Sequence, residues 1–401
     1  MQSIHVCMIS GNVLPNLIPA LSDKNITGVI TFSGDGKERT QVQLLKGLLE
    51  KKGIELLKSV RANSSFELPV LRKTAEELRD WLLKQAPDKR WIINLTAGTK
   101  LMMLALYDVF KNQPQAELVY QDTQSGMLRN IEEPERDSPN LSALDHLSYL
   151  AAQRFDVTKE GIGSADDEAH LAERRWIIDK LIMPNIYRIW MLTTLFNHTA
   201  TQVDRSGKLK QSLNAKYKFS SQIEPVLTKM EEANLFTLDR QNRTITYADK
   251  EAAKFLGGGW LEEYVYWCAR DAGIEHVGIN VFGEWNMKDT ERPTTNEFDV
   301  VLCHHNQLMV IECKALAFND EAKGQDIVNK IEALGRKAGG LFGKSMLVAS
   351  DKLEEDNKYT SHIVQRLKDY KIDMLHRKNL KNLTSTLVSW KQRCEPRGST
   401  K

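Results

Sequence analysis

The sequence predicts an α/β protein with more than one domain, and three observations support this. The chain has 401 residues, more than a single ordinary core organises, so two or three domains are expected. Its first third alternates short apolar runs with amphipathic segments, which is typical of βαβ units and of a parallel, doubly wound sheet. After residue 257, further short apolar runs surround one long amphipathic segment, which predicts a second α/β domain.

The first third contains the predicted elements of the parallel sheet. Strands are expected where apolar residues form short runs, and helices where they recur at helical spacing. The predicted strands are 4–9, 29–32, 55–60, 91–95 and 116–120, and the predicted helices are 13–21, 41–52, 70–85 and 100–111. Ligands of such sheets bind beyond the carboxyl ends of the strands, so the loops at those ends are candidate binding sites.

The middle of the chain is predicted to connect the two domains. Residues 130–140 are polar and contain two prolines, which predicts a linker, and residues 170–198 predict a helical region broken near Pro184. Residues 220–233 show helical spacing, and residues 235–249 predict two short strands around a polar turn. A helix followed by a hairpin resembles a winged helix. Because this helix is not strongly basic, a structural connector is favoured over a DNA-reading module.

The last domain is predicted to follow a helix-breaking triple glycine at residues 257–259. Helices are expected at 260–271 and 324–338, and strands at 277–282, 298–304, 308–313 and 345–349. These patterns divide the chain into residues 1–135, 136–256 and 257–401.

The composition is that of a globular protein, with 41% hydrophobic and 27% charged residues and a net charge of +2. This nearly neutral charge alone says little about whether the protein binds a polyanion. No run of eighteen apolar residues occurs, which excludes a membrane-spanning helix. The five cysteines form no CxxC pair, which predicts free thiols and a cytoplasmic location. The adjacent His304 and His305 are interpreted as a polar turn between two strands rather than as metal ligands.

Acidic residues and a lysine mark a candidate catalytic site in the last domain. Glu262 or Glu263 lies early in its first helix, and Asp299 is expected to enter a strand. Glu312 and Lys314 end the next strand, where alternate residues share one side, and a hairpin can bring Asp299 beside Glu312. Carboxylates bind Mg²⁺ or Mn²⁺, which activate water for phosphodiester hydrolysis, while a lysine stabilises the developing charge. The competing interpretation is an ordinary cross-strand charge pair.

This region resembles the PD-(D/E)xK nuclease superfamily. Asp299, Glu312 and Lys314 match its core motif, although the proline before the aspartate is absent. Glu262 matches the glutamate that the family often carries on its first helix, with Glu263 as the competing position. The resemblance implies a metal-dependent endonuclease in which Glu262, Asp299 and Glu312 bind Mg²⁺ or Mn²⁺. It also implies that Lys314 positions the attacking water or stabilises the negative charge of the transition state.

The most specific motif of the first domain is N-L-T-A-G-T-K at residues 94–100, directly after the fourth predicted strand. Its turn leads into a helix, and the N–H groups at a helix N-terminus favour anions. Thr96, Thr99 and Lys100 add side-chain donors that suit a phosphate or a nucleotide. The alternative is a threonine-capped helix start in which Gly98 serves the turn. The motif alone leaves both interpretations open.

Two more loops follow strands of this sheet and are expected at the same crevice. They consist of Ser10, Gly11 and Asn12, and of Ser33, Gly34, Asp35 and Gly36. With the motif they resemble the CARF domain, a Rossmann-like, CRISPR-associated sensor of cyclic oligoadenylates, although Ala97 replaces a common glycine. The resemblance implies that both loops bind this ligand, together with Thr96, Ala97, Gly98, Thr99 and Lys100.

The order of the two resemblances is that of type III CRISPR ancillary nucleases, which cyclic tetra-adenylate activates. It implies a homodimer that binds one symmetric ring and cleaves DNA, RNA or both. One alternative is a CARF ligand-responsive winged-helix transcription regulator without nuclease activity. Another is a ring nuclease that degrades its own ligand in the CARF crevice.

Overall fold

The computed structural model describes residues 1–35, 38–122, 126–138, 141–162, 164–215, 217, 219–286, 293–318, 321–340 and 343–396. Over these ranges the chain forms two larger sheets and one small sheet. No helix of this part of the chain is long and apolar enough to cross a membrane.

The first sheet is Rossmann-like and covers the N-terminal third. Its strands are β1 (Ser3–Met8), β2 (Ile26–Ser33), β3 (Leu56–Arg61), β4 (Arg90–Asn94), β5 (Ala116–Asp122) and β6 (Met127–Asn130). Its helices are α1 (Leu14–Ser22), α2 (Arg39–Glu50), α3 (Leu68–Gln85) and α4 (Lys100–Phe110). The strand order is β3-β2-β1-β4-β5-β6, so the order reverses between β1 and β4, where such sheets bind ligands.

The prediction of a purely parallel sheet is wrong at one edge. The strands β1 to β5 pair in parallel, but β6 pairs antiparallel with β5. The sequence pattern missed β6 because it has only four residues and includes the charged Arg129 and polar Asn130. Its last residue, Asn130, is also the first residue of the predicted linker. Within that segment Asp137 accepts a 2.6 Å hydrogen bond from Arg129 of β6, and residues 139 and 140 lie outside the described residues.

The connecting region contains helices and one small sheet. Its elements are α5 (His146–Ala152), β7 (Phe155–Lys159), α6 (Ala165–Ile177), α7 (Ile186–Ser206), β8 (Lys210–Ser212), α8 (Glu224–Glu232), β9 (Phe236–Asp239), β10 (Thr244–Tyr247) and α9 (Lys250–Lys254). The strands β8, β10 and β9 form an antiparallel sheet in that order. The predicted helix and hairpin are therefore present, and the break near Pro184 is a short 3₁₀ turn at Met183–Asn185.

The second large sheet is mixed and carries the C-terminal elements. These are α10 (Trp260–Asp271), β11 (His276–Trp285), β12 (Thr294–His304), β13 (Gln307–Lys314), α11 (Glu321–Gly339), β14 (Gly343–Ala349), α12 (Ser361–Asp369), β15 (Asp373–His376) and α13 (Leu383–Cys394). The strand order is β15-β14-β13-β12-β11-β7. The edge strand β7, which the sequence pattern did not predict, comes from the connecting region.

A shared core joins the two large sheets. Buried residues of α2, of α5 and of the second sheet belong to one hydrophobic cluster. The ring of Phe155 packs edge-on against Trp285 and Phe298, with ring centroids 4.9 Å apart in both pairs. The hydroxyl of Tyr149 on α5 donates a 3.0 Å hydrogen bond to the carbonyl of Gly339 at the end of α11. The helix α5 therefore packs between the first sheet and the second sheet.

Candidate functional site

The hairpin of β12 and β13 brings Asp299 and Glu312 together, as the sequence predicts. The register pairs Val300 with Ile311, and the carboxylate of Asp299 accepts a 2.7 Å hydrogen bond from the Cys313 backbone N–H. Lys314 Nζ lies 2.6 Å from Glu312 Oε1 and 3.2 Å from Asp299 Oδ2. The lysine therefore bridges the two carboxylates from the same side of the sheet.

The expected position of Asp299 within its strand needs correction. The strand β12 begins at Thr294, so Asp299 lies in its interior rather than at its start. The pattern missed these first residues because they are polar and mostly exposed. They pair with β11, from Thr294 opposite Trp285 to Asn296 opposite Gly283, so backbone pairing extends the strand beyond its apolar run.

The structure distinguishes the two glutamates of α10. Glu263 is buried, and its Oε1 lies 2.6 Å from the Arg174 guanidinium of α6. Glu262 instead lines the same cleft as Lys314, and burial, followed by the charge of Asp299, raises its pKa to about 8. Glu262 therefore belongs with Asp299, whereas Glu263 is neutralised by a structural partner.

The triple glycine acts as a kink rather than as the predicted helix break. A π-helical turn at Phe255–Gly259 joins α9 directly to α10. Gly258 has φ +142°, a conformation that residues with a Cβ rarely adopt. A Cβ on Gly257 would lie 2.5 Å from the Ala200 Cβ of α7. The glycines thus allow α7 to approach closely and set the direction of the helix that carries Glu262.

A second lysine, Lys330, completes the cluster and was missed by sequence reasoning. Its Nζ lies 2.7 Å from Glu312 Oε1, the same oxygen that Lys314 contacts. Lys330 lies on α11, and its side chain is 42% exposed. Nothing in the sequence distinguishes it from other charged residues on that helix, because only the tertiary packing of α11 against β13 brings it to Glu312.

The electrostatics of the cluster favour a bound cation. Burial and then the charge of Glu312 raise the pKa of Asp299. Burial alone would lower the pKa of Lys314, but Asp299 and Glu312 outweigh it and raise that pKa. Glu262, Asp299 and Glu312 supply hard oxygen donors, which Mg²⁺ and Mn²⁺ prefer. A cleft of about 640 Å³ reaches Glu262 and Lys314, so this donor set fits a divalent cation.

The three predicted loops of the first sheet meet at the carboxyl ends of adjacent strands. Ser10, Gly11 and Asn12 follow β1; Ser33 ends β2 and is followed by Gly34 and Asp35; and Thr96, Ala97, Gly98, Thr99 and Lys100 follow β4. The strands β2, β1 and β4 are neighbours, so the predicted convergence is present. Gly36 lies outside the described residues.

Internal hydrogen bonds hold the motif after β4. Asn94 is buried, and its Oδ1 accepts from the Thr96 N–H at 3.0 Å and from the Thr96 hydroxyl at 2.6 Å. Thr99 caps α4 by accepting from the Met102 N–H at 3.2 Å, while Gly98 has φ +78°. The interpretation as a capped turn is therefore confirmed. It does not exclude an anion site, because the same turn presents the N-terminus of α4.

The expected side-chain donors of the motif need correction. The Thr96 hydroxyl donates to Asn94, and the Thr99 hydroxyl donates to the Ser65 carbonyl at 3.1 Å. Both protons are thus already used within the protein. Lys100 is exposed and forms no ion pair with any described residue, so it is the cation of this motif that remains available to a ligand.

The loop after β3 also reaches this crevice, and no motif in the sequence had indicated it. Ser65 is buried between Asp35 and Thr99. Its hydroxyl accepts a 3.2 Å hydrogen bond from the Asp35 N–H, and its backbone carbonyl accepts one from the Thr99 hydroxyl. The Arg61 guanidinium donates a 2.7 Å bond to the Asp35 carbonyl. These contacts fix the loop of Asp35 beside the motif.

Comparisons with protein families identify both domains. The Card1 CARF domain matches residues 4–142, and the Card1-like endonuclease domain matches residues 249–394. No curated protein matches the chain significantly in sequence.

Solved structures share this architecture. Protein VC1899 from Vibrio cholerae has 21% identity and a TM-score of 0.82, with 98% of this chain and 99% of that chain covered. Can2 from Sulfobacillus thermosulfidooxidans, solved with cyclic tetra-adenylate, has 22% identity and a TM-score of 0.72, with 96% of each chain covered. A type III CRISPR defence DNA nuclease activated by cyclic oligoadenylate has 14% identity and a TM-score of 0.50. The match covers 87% of this chain and 45% of the chain of that nuclease. These likenesses establish the fold.

Proposed function

The chain belongs to the Card1 family in both its CARF domain and its endonuclease domain, and from this premise we propose that cyclic tetra-adenylate activates it to hydrolyse nucleic acid. The observation that carries the proposal is the cluster of Asp299, Glu312 and Lys314 on one hairpin, with Glu262 lining the same cleft as Lys314. The Can2 structure, which contains cyclic tetra-adenylate, supports the choice of ligand. The similarity to a type III CRISPR defence nuclease that acts on DNA supports DNA as a substrate.

In this proposal Glu262, Asp299 and Glu312 hold the divalent cation. When bound, Mg²⁺ or Mn²⁺ supplies Lewis acidity and a nucleophile at neutral pH. Lys314 stays protonated because the neighbouring carboxylates raise its pKa. It therefore acts as a fixed positive charge and a hydrogen-bond donor rather than as a base. Its Nζ orients the attacking water or stabilises the negative charge that develops on the phosphoryl oxygens.

The sensor site is proposed at the loops after β1, β2 and β4. The N-terminus of α4 and the exposed Lys100 supply positive potential for phosphates. Cyclic tetra-adenylate has rotational symmetry, so we propose that two copies of the chain bind one ring across a two-fold axis. Activation then requires that the ligand bind the active arrangement of the dimer better than the resting one.

The three-part division of the chain is proposed as residues 1–135 for sensing, 136–256 for connection and 257–401 for cleavage. The order β8-β10-β9 and the helix before the hairpin support a winged-helix-like connector. We propose a structural role for this connector, because its buried residues belong to the same hydrophobic cluster as those of α10. The cytoplasmic location expected from the cysteines stays a prediction.

The deciding experiment measures cleavage by the purified protein with Mn²⁺, with and without cyclic tetra-adenylate. The substrates are labelled single-stranded DNA, single-stranded RNA and supercoiled plasmid, and Glu312→Ala is compared with the wild type. We expect cleavage that needs the ligand and falls at least ~100-fold in the variant, while ligand binding is unchanged. Ligand binding without cleavage of any substrate would favour the transcription-regulator alternative.

A further inference from the structure

A second group of potential metal ligands lies at the tip of the β12–β13 hairpin. Glu275 Oε2 lies 3.3 Å from His304 Nδ1, and Glu275 Oε1 lies 4.0 Å from His305 Nε2. One ligand atom from each of these residues lies within 4.8 Å of the other two. The three side chains thus surround a volume small enough for a single ion.

The burial of His304 makes this group unusual. His304 is 3% exposed, yet among the described residues neither ring nitrogen has a hydrogen-bond partner. Its 3.3 Å approach to Glu275 is a close contact that lacks hydrogen-bond geometry. Buried polar groups in native proteins are nearly always paired. A bound cation would satisfy one ring nitrogen, which the described part of the protein leaves unpaired.

The local backbone brings the ligands together. His305 and Asn306 form the hairpin turn with φ +44° and +59°, the left-handed conformations that tight hairpins require. The turn predicted from the sequence is therefore present. The His305 N–H donates a 2.9 Å hydrogen bond to Glu275 Oε2, which fixes the carboxylate against the turn before any ion binds.

We propose that Glu275, His304 and His305 bind one divalent transition-metal ion of the zinc class. Two imidazoles and one carboxylate are typical ligands of Zn²⁺, whereas Mg²⁺ prefers oxygen donors and water. Three protein ligands leave a fourth position for water. Lys391 and Glu395 are the other charged groups that act on His304, and they carry opposite charges.

This site is separate from the carboxylate cluster. His304 and Asp299 are five positions apart on β12, which corresponds to about 17 Å along a strand. The same turn also holds the chain that leaves the CARF domain, because Asn306 Oδ1 accepts from the Leu144 N–H at 2.8 Å and Asn306 Nδ2 donates to the Ser142 carbonyl at 3.0 Å. An ion at this turn would therefore rigidify the junction between the two domains.

The test measures Zn²⁺ binding to the full chain by equilibrium dialysis, with metal quantified by mass spectrometry. The background is the double variant Asp299→Asn, Glu312→Gln, which disables the carboxylate cluster. We expect one tightly bound Zn²⁺ per chain and at least tenfold weaker binding after His305→Ala or Glu275→Gln. His276→Ala is the matched control, since it removes an imidazole next to Glu275 but outside the group.

A second readout separates direct ligation from a general disturbance. Co²⁺ bound by this group is expected to show the visible absorption of a low-coordinate site, and His305→Ala is expected to abolish it while circular dichroism stays unchanged. Absence of stoichiometric Zn²⁺ in the double variant would overturn the proposal. Equal Zn²⁺ affinity in the double variant with and without His305→Ala, both folded, would overturn it as well. None of these outcomes depends on nuclease activity.

Discussion

Gln41 of α2 joins Gly11 of the proposed ligand loop to Arg154, which precedes the edge strand of the second sheet. The Gln41 amide Nε2 donates a 3.0 Å hydrogen bond to the Gly11 carbonyl, and its Oε1 accepts from the Arg154 guanidinium. The Arg154 carbonyl in turn accepts from the Asn286 N–H at 2.9 Å. Hydrogen bonds therefore run from the sensor crevice to the strands beside the nuclease site.

The first prediction is that Gln41→Ala uncouples ligand binding from cleavage. We expect cyclic tetra-adenylate affinity to change less than about threefold, because the Gln41 side chain contacts the proposed ligand loop only at the Gly11 backbone carbonyl. Ligand-stimulated cleavage should fall about tenfold, which corresponds to a coupling energy near ~1.4 kcal/mol. Gln43→Ala, a change on the same helix, is the control. Full stimulation of Gln41→Ala would show that this contact path does not transmit activation.

Local patterns in the sequence predict the parts of this fold that short-range physics determines. The parallel strands β1 to β5 and the D…ExK hairpin are predictable because apolar runs and alternation appear within a few residues. The edge strand β7 was missed because its partner lies far along the chain: Asp156 contacts Asn286, 130 residues away. The choice between Glu262 and Glu263 likewise depends on Arg174, 89 residues before Glu263. No local pattern contains that information.

The second prediction distinguishes the two lysines of the cluster. Lys314→Met should lower kcat at least ~100-fold, because this partly buried cation contacts both Asp299 and Glu312. Lys330→Met should lower cleavage about tenfold and mainly through KM, since its exposed ammonium group is placed to meet substrate phosphate. Lys344→Met, which removes an exposed lysine elsewhere on the second sheet, should have no effect. Steady-state cleavage at saturating ligand measures these effects, and equal kcat losses in both cluster variants would refute the distinction.

The third prediction concerns the ion pair of Arg174 and Glu263. Glu263→Gln leaves a mostly buried guanidinium without its charged partner and should lower the free energy of unfolding by about 3 kcal/mol. The double variant Arg174→Met, Glu263→Leu should recover most of that loss. Urea unfolding of the wild type, Arg174→Met, Glu263→Leu and the double variant measures the coupling. The folded Glu263→Gln protein should keep cleavage activity, whereas Glu262→Gln should lose it. The opposite result would exchange the roles of the two glutamates.

The fourth prediction is a pH dependence of stability that arises from Glu262. Burial and the charge of Asp299 raise its folded-state pKa to about 8 from 4.5. Between these pH values the unfolded chain has released this proton while the folded chain retains it, so stability decreases as pH rises. Glutamine does not titrate. With a chelator present, Glu262→Gln should therefore gain stability relative to the wild type from pH 4.5 to 8, by at most roughly 5 kcal/mol.

Unfolding in urea at several pH values measures this difference, with Glu284→Gln on the neighbouring strand β11 as the control. The control removes a carboxyl group outside the cluster and should follow the pH profile of the wild type. Parallel profiles for Glu262→Gln and the wild type would mean that Glu262 does not face the other carboxylates in solution.

The fifth prediction separates ligand binding from helix capping at the start of α4. Lys100 is exposed and forms no ion pair with a described residue, so Lys100→Met should leave stability unchanged and weaken cyclic tetra-adenylate binding at least tenfold. Thr99 caps the helix, so Thr99→Ala should lower the free energy of unfolding by about 1 kcal/mol. Lys111→Met is the matched control, because Lys111 follows the last residue of the same helix, about 16 Å away. Titration calorimetry and thermal unfolding measure the two effects. If Lys100→Met and Lys111→Met bind the ligand equally well, the phosphates do not lie at the N-terminus of α4, and the sensor site must be placed at the loops after β1 and β2 alone.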